Sequence, residues 1–146
     1  MTAHPPPATV LAFDFGTRRL GVAVGNTLTR VAQPLATIAL ARNEERMAAI
    51  AALVGEWQPA ILVVGIPVHA DGTPHATTAR AQRFARELAL RFRLPVEHAD
   101  ERFTTQLAQS ALDDAGAGRK GRAVRDQLAA QLILQGWFDD RGAATT

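Results

Sequence analysis

Asp14 stands inside an otherwise apolar stretch, Val10–Phe15 (VLAFDF). A carboxylate in such surroundings is costly to bury unless it is paired or holds a cation. The plainer alternative is a strand-end aspartate that forms a turn with Gly16 and Thr17. Two further acidic positions bear on the choice. Asp100 and Glu101 stand at the carboxyl end of another expected strand, and because side chains alternate along a strand only one of them can face Asp14. Asp126 precedes Ala129, Ala130 and Ile133 by three, four and seven residues, so on a helix it shares their face. The small alanines there would let that helix approach a sheet closely. Asp126 could instead be an exposed carboxylate that only complements a helix dipole. Carboxylates converging from separate elements, with no cysteine in the chain and four scattered histidines, are the donor set of Mg²⁺ or Mn²⁺. Such ions activate water and stabilise charge on a phosphate, and two of them ~3.5–4 Å apart can do both. The chemistry expected is phosphodiester hydrolysis with no protein nucleophile.

Cationic groups lie beside each of these acids in the sequence. Thr17, Arg18 and Arg19 follow Asp14, and Arg119, Lys120, Arg122 and Arg125 precede Asp126, with Arg102 next to Glu101. A guanidinium fork suits a phosphate oxygen, and a basic segment can grip a backbone without reading bases. Arginine supplies fifteen of the sixteen Lys and Arg residues, yet the formal net charge is only +2, so composition by itself permits nucleic-acid binding without requiring it. His69, Asp71 and His75 have the uneven spacing of incidental residues, and alternation separates the side chains of Glu97, His98 and Asp100. The absence of cysteine excludes disulfides, thiol catalysis and the usual structural zinc sites. No apolar run approaches the roughly 20 residues that span a bilayer, and Pro5, Pro6 and Pro7 interrupt the N-terminus, so a cytoplasmic protein without membrane attachment is expected.

The elements that must carry these residues follow from periodicity. Val10–Phe15 reads as a buried, central strand. Gly21–Gly25 and Val31–Ile38 follow it through a turn at Asn26–Arg30, giving an antiparallel meander. Asn43 is placed to cap a helix whose Met47, Ile50, Leu53, Val54 and Trp57 recur at helical spacing before Pro59. Ala60–Gly65 is a continuous apolar strand of the kind buried on both faces. A helix over Thr77–Phe92, a strand over Pro95–Ala99 and a helix from Thr104 or Thr105 to Ala115 come next. The stretch Gly116–Gly121 reads as flexible, and a last helix covers about Val124–Phe138. This order predicts an α/β domain with a five-stranded mixed sheet flanked by helices, and it fits a ribonuclease H-like fold. At 146 residues the chain suits one domain, with a core over about 9–140 and frayed tails.

Taken together, the segments DFGTRRLGVAVG, VVGIPVHADGT, ADERFTT and VRDQLAAQLILQGWFDD resemble, in order, the motifs of the YqgF (RuvX) family. That resemblance implies a ribonuclease H-like nuclease related to Holliday-junction resolvases, with a role in maturing the 5′ end of pre-16S ribosomal RNA. By motif it makes Asp14 the first-strand metal ligand, Glu101 or its neighbour Asp100 the second, and Asp126 the third. The strand Ala60–Gly65 ends in Gly-Ile-Pro where the classical resolvases carry a carboxylate, so the second acid has moved to another strand.

Three readings remain open. One is a metal-dependent nuclease acting on pre-16S rRNA. Another is a resolvase of branched DNA, which would have to act as a dimer rather than a monomer. The third is a non-catalytic RNA-binding assembly factor. DFGT also resembles the phosphate loop of actin-like ATPases, but those need two such domains around a nucleotide, and this chain offers one.

Overall fold

The computed structural model describes residues 7–67, 76–100 and 119–144. Five strands and three helices lie within them: β1 (Thr9–Asp14), β2 (Leu20–Asn26), β3 (Ala32–Ile38), α1 (Asn43–Trp57), β4 (Ile61–Ile66), α2 (Thr78–Phe92), β5 (Val96–Asp100) and α3 (Arg119–Ala144). The sheet order is β3-β2-β1-β4-β5, with β1 central as expected. β1 pairs antiparallel with β2 and β2 with β3, while β4 runs parallel to both β1 and β5. The helix expected between Thr104 and Ala115 lies outside the described residues.

Alternation along β1 divides the core between the two faces of the sheet. Leu11 and Phe13 pack with Met47 and Ile50 of α1 and with Phe84, Ala85 and Leu88 of α2. Val10 and Ala12 face the other way, against Ala130, Ile133, Leu134, Trp137 and Phe138 of α3. Each large side chain so buried contributes about 1.5–3 kcal/mol. The apolar runs of β1 and β4, without a polar face, are what a central strand covered on both sides requires.

The connection from β2 to β3 is the turn read from Asn26–Arg30. The Leu28 N–H donates to Asn26 Oδ1 at 2.8 Å, and Arg30, at φ 56°, closes the turn through its own N–H to the Asn26 carbonyl at 2.8 Å. Two expectations about helix ends fail. Asn43 does not cap α1; the cap residue is Arg42, in extended conformation, and the Asn43 amide reaches across to Glu87 Oε1 at 2.8 Å. The last helix begins at Arg119 rather than Val124, so the end of the stretch read as flexible is its first turn, and it continues past Phe138 to Ala144. Gly121, a poor helix former in isolation, is buried there, so tertiary packing outweighs the roughly 1 kcal/mol propensity cost.

α3 is fastened to the outer edge of β3 by a glutamine ladder at i, i+4, i+8. Gln127 donates to Thr37 Oγ1 at 3.3 Å and Gln131 to the Ala32 carbonyl at 3.1 Å. Gln135 accepts from the Ala32 N–H at 3.0 Å and donates to the Arg30 carbonyl at 2.9 Å. An edge strand exposes unpaired backbone groups, and these amides occupy part of that row.

Candidate active site

Asp14 is the last residue of β1, and its parity with Val10 and Ala12 puts it on the α3 face of the sheet. Its partners across the ladders are Gly21 of β2 and Gly65 of β4. The carboxylate is therefore flanked on both sides by residues without side chains. Behind it the chain turns tightly: a Cβ on Gly16 would run into the Arg19 carbonyl, so only glycine fits there.

Asp126 comes to the same place from α3. The helix rests on Gly21 so closely that a Cβ at that position would overlap the Asp126 carbonyl. Gly21 is in turn the register partner of Asp14, one strand spacing or ~4.8 Å away. Because α3 begins at Arg119, Asp126 lies in its second turn, with a side chain only 17% exposed. The alternative of an exposed, first-turn dipole partner is thereby removed. Asp126 Oδ2 accepts a hydrogen bond from Arg19 Nε at 2.7 Å, and the Arg19 side chain is 39% exposed. The helix is held at this end by Thr37 Oγ1, which donates to the Ala123 carbonyl at 2.7 Å.

Among the other candidates, Thr17 and Arg18 are exposed on the turn after Asp14, and Arg122 is exposed in the first turns of α3. Arg125 is part-buried, and its Nε has no hydrogen-bond partner among the described residues. Asp100 ends β5, and Arg119 and Lys120 open α3; their side chains, like Glu101, Arg102 and the loop residues His69, Asp71 and His75, lie outside what is described. Glu97 serves structure: it accepts from Trp137 Nε1 at 3.0 Å and from Arg141 Nη1 at 3.1 Å, with the guanidinium 4.4 Å above the indole. Glu97 thus faces α3, as does Ala99, which packs against the core on the α3 side of the sheet.

Sequence reasoning passed over Arg46. It is 5% exposed, stacks 5.6 Å from the centroid of Phe15, and donates from Nε to the Leu40 carbonyl at 3.1 Å. Burial pulls its pKa below the ordinary arginine value. Phe15 follows Asp14 directly, so Arg46 supports the end of β1 from the opposite face. The signal available was a charge beside Met47 on the inner side of an amphipathic helix.

Among the described residues no three Asp, Glu or His side chains form a ready metal cluster. Two of the three proposed carboxylates are nonetheless gathered at one edge, and a guanidinium already sits against one of them. A site that draws in a cation and supplies only hard oxygen donors is suited to a divalent ion such as Mg²⁺.

Comparisons with known proteins bear on the family and the fold. The family model described as "RuvX: Holliday junction resolvase" matches residues 8–140. The chain belongs to the RuvX family. A relative from Nitrosospira multiformis, provisionally named pre-16S rRNA nuclease, is 51% identical over 98% of this chain and 95% of its own. One from Chromobacterium violaceum with the same name is 53% identical over 92% and 99%. The RuvC of T. thermophilus in complex with Holliday junction substrate aligns with TM-score 0.56 at 16% identity, covering 93% of this chain and 96% of that one. At that identity the likeness speaks for the fold alone, and the fold of this RuvX chain is ribonuclease H-like, as its order of elements predicts.

Proposed function

We propose that this RuvX protein is a metal-dependent nuclease that hydrolyses phosphodiester bonds in the precursor of 16S ribosomal RNA, in the cytoplasm. The observation that carries the reading is the convergence of Asp14 and Asp126 on Gly21 from elements far apart in sequence. In the proposal Asp14, Asp126 and Glu101 hold the ion, Mg²⁺ or Mn²⁺. Between the neighbours Asp100 and Glu101, the proposal takes Glu101 as the ligand. The ion, when bound, supplies an activated water and charge stabilisation at the phosphate.

The rest is done by the chain's own residues. Gly65 presents no side chain beside Asp14, and Gly21 lets α3 bring Asp126 against the same strand end. Thr17, Arg18, Arg102, Arg119, Lys120 and Arg122 hold phosphates of the substrate backbone on either side of the acids. The names of the relatives favour ribosomal RNA over branched DNA as substrate. The family description keeps the second reading, a resolvase, which would need two copies to cut two strands.

Purified full-length protein with Mg²⁺ or Mn²⁺, offered pre-16S fragments and four-way DNA junctions in competition, tests this. Preferential cleavage of the RNA, lost in Asp14→Asn, is the expected result. Cleavage of the junction by a dimer would favour the second reading. Cleavage unaffected by Asp14→Asn would overturn the catalytic assignment.

A further inference from the structure

We propose that Arg19 is a built-in counter-cation for Asp126, which a divalent ion displaces so that the guanidinium becomes free for the substrate phosphate. The inference rests on the reading of Asp126 as a metal ligand and adds to it a role for a residue outside the ligand set.

Asp126 is largely buried, and a carboxylate there needs compensating charge. Arg19 provides it through Nε at 2.7 Å. The two parts of Arg19 differ in freedom. Its backbone is fixed by the turn that Gly16 makes possible, whereas its side chain is 39% exposed. A divalent ion bound by the same carboxylate would stand within a few ångströms of the guanidinium, and two cations that close repel strongly where screening is poor. The Asp126 carboxylate therefore exchanges one cation for the other. The departing guanidinium remains tethered beside Asp14, where an anionic oxygen of the substrate must lie for cleavage, and Arg is well shaped to receive it. The acid is thus covered by Arg19 before the metal arrives and by the metal afterwards, and the surplus positive charge left by the exchange is what receives the anionic phosphate.

This arrangement gives Arg19→Gln a distinctive signature. Removing the competitor should raise the affinity of the full-length protein for Mn²⁺ roughly fivefold, the range of a part-exposed ion pair. It should also lower the thermal midpoint of the metal-free protein by a few degrees, with the deficit narrowing when Mn²⁺ saturates the site. Arg19→Lys, which retains the charge, should stay near the wild type in both measurements. Isothermal titration with Mn²⁺ and thermal unfolding followed by circular dichroism read these quantities without any turnover. Unchanged or weaker Mn²⁺ binding in Arg19→Gln, with binding lost in Asp126→Asn, would overturn displacement while leaving Asp126 a ligand. Equal Mn²⁺ binding by Asp126→Asn and the wild type would overturn the metal-ligand reading, and this inference with it.

Discussion

Asp14 was legible in the sequence because it contradicts its neighbours: an acid in VLAFDF requires a reason. Asp126 was legible because its spacing to Ala130 and Ile133 put it on a buried face, and the structure places those residues in the core. The partner of Asp126 was not legible. Arg19 and Asp126 are 107 residues apart, and no local pattern says that one will meet the other. Arg46 escaped notice for a related reason, since helix α1 reads equally well with that arginine in solvent. At this scale the account makes a direct prediction. Asp14→Asn should abolish metal-dependent cleavage while leaving the thermal midpoint within about 4 °C of the wild type, because functional carboxylates often cost stability. A folded, monodisperse Asp14→Asn protein that still cleaves would contradict it, as judged by a cleavage assay beside a melting curve.

Between elements, the decisive contact is the one α3 makes with β2 at Gly21. A methyl group there overlaps the Asp126 backbone, so Gly21→Ala forces the helix away from the sheet. The expected cost is about 1–3 kcal/mol, read from denaturant unfolding, together with weaker Mn²⁺ binding. The glutamine ladder makes a separate claim. Gln135→Ala leaves the buried Ala32 N–H without its acceptor and should cost about 1–3 kcal/mol, or roughly 2–9 °C in the midpoint, without changing metal affinity. Strand positions were readable to within one residue at each end, since apolar runs bounded by Gly, Pro and Asn leave little choice. Helix ends were less so. The start of α3 was hidden because GAGRKG has the composition of a loop, and only burial of Gly121 against the rest of the protein makes helix the better state there. The cap of α1 was misread because Asn43 had a cross-helix partner, Glu87, that its own segment does not reveal.

Across the whole molecule, topology concentrates positive potential at one edge. Helices α1 and α2 each lead into a parallel strand, β4 and β5, so their N-termini open at the carboxyl ends of the strands, where Asp14 lies. α3 begins at the same edge, over Thr37 and Gly21, and ends beside Glu97 and Gly25. Three helix N-termini and exposed Arg18 and Arg122 thus surround a pair of carboxylates: the positive groups attract the phosphates, and the carboxylates attract the divalent cation. Binding of single-stranded RNA should therefore weaken steeply with salt, and Arg18→Ala or Arg122→Ala should each reduce the slope of log K against log[salt] by about 0.7, with little change in sequence preference. Slopes equal to the wild type in both variants would remove these residues from the interface. The central claim remains that Asp14 and Asp126 share one ion. Anomalous diffraction from crystals soaked in Mn²⁺ measures this most directly: the account predicts a peak within about 2–2.5 Å of an oxygen of each carboxylate, with Arg19 withdrawn from Asp126. A peak remote from both acids, in crystals where the Arg19–Asp126 pair stays closed, would contradict it.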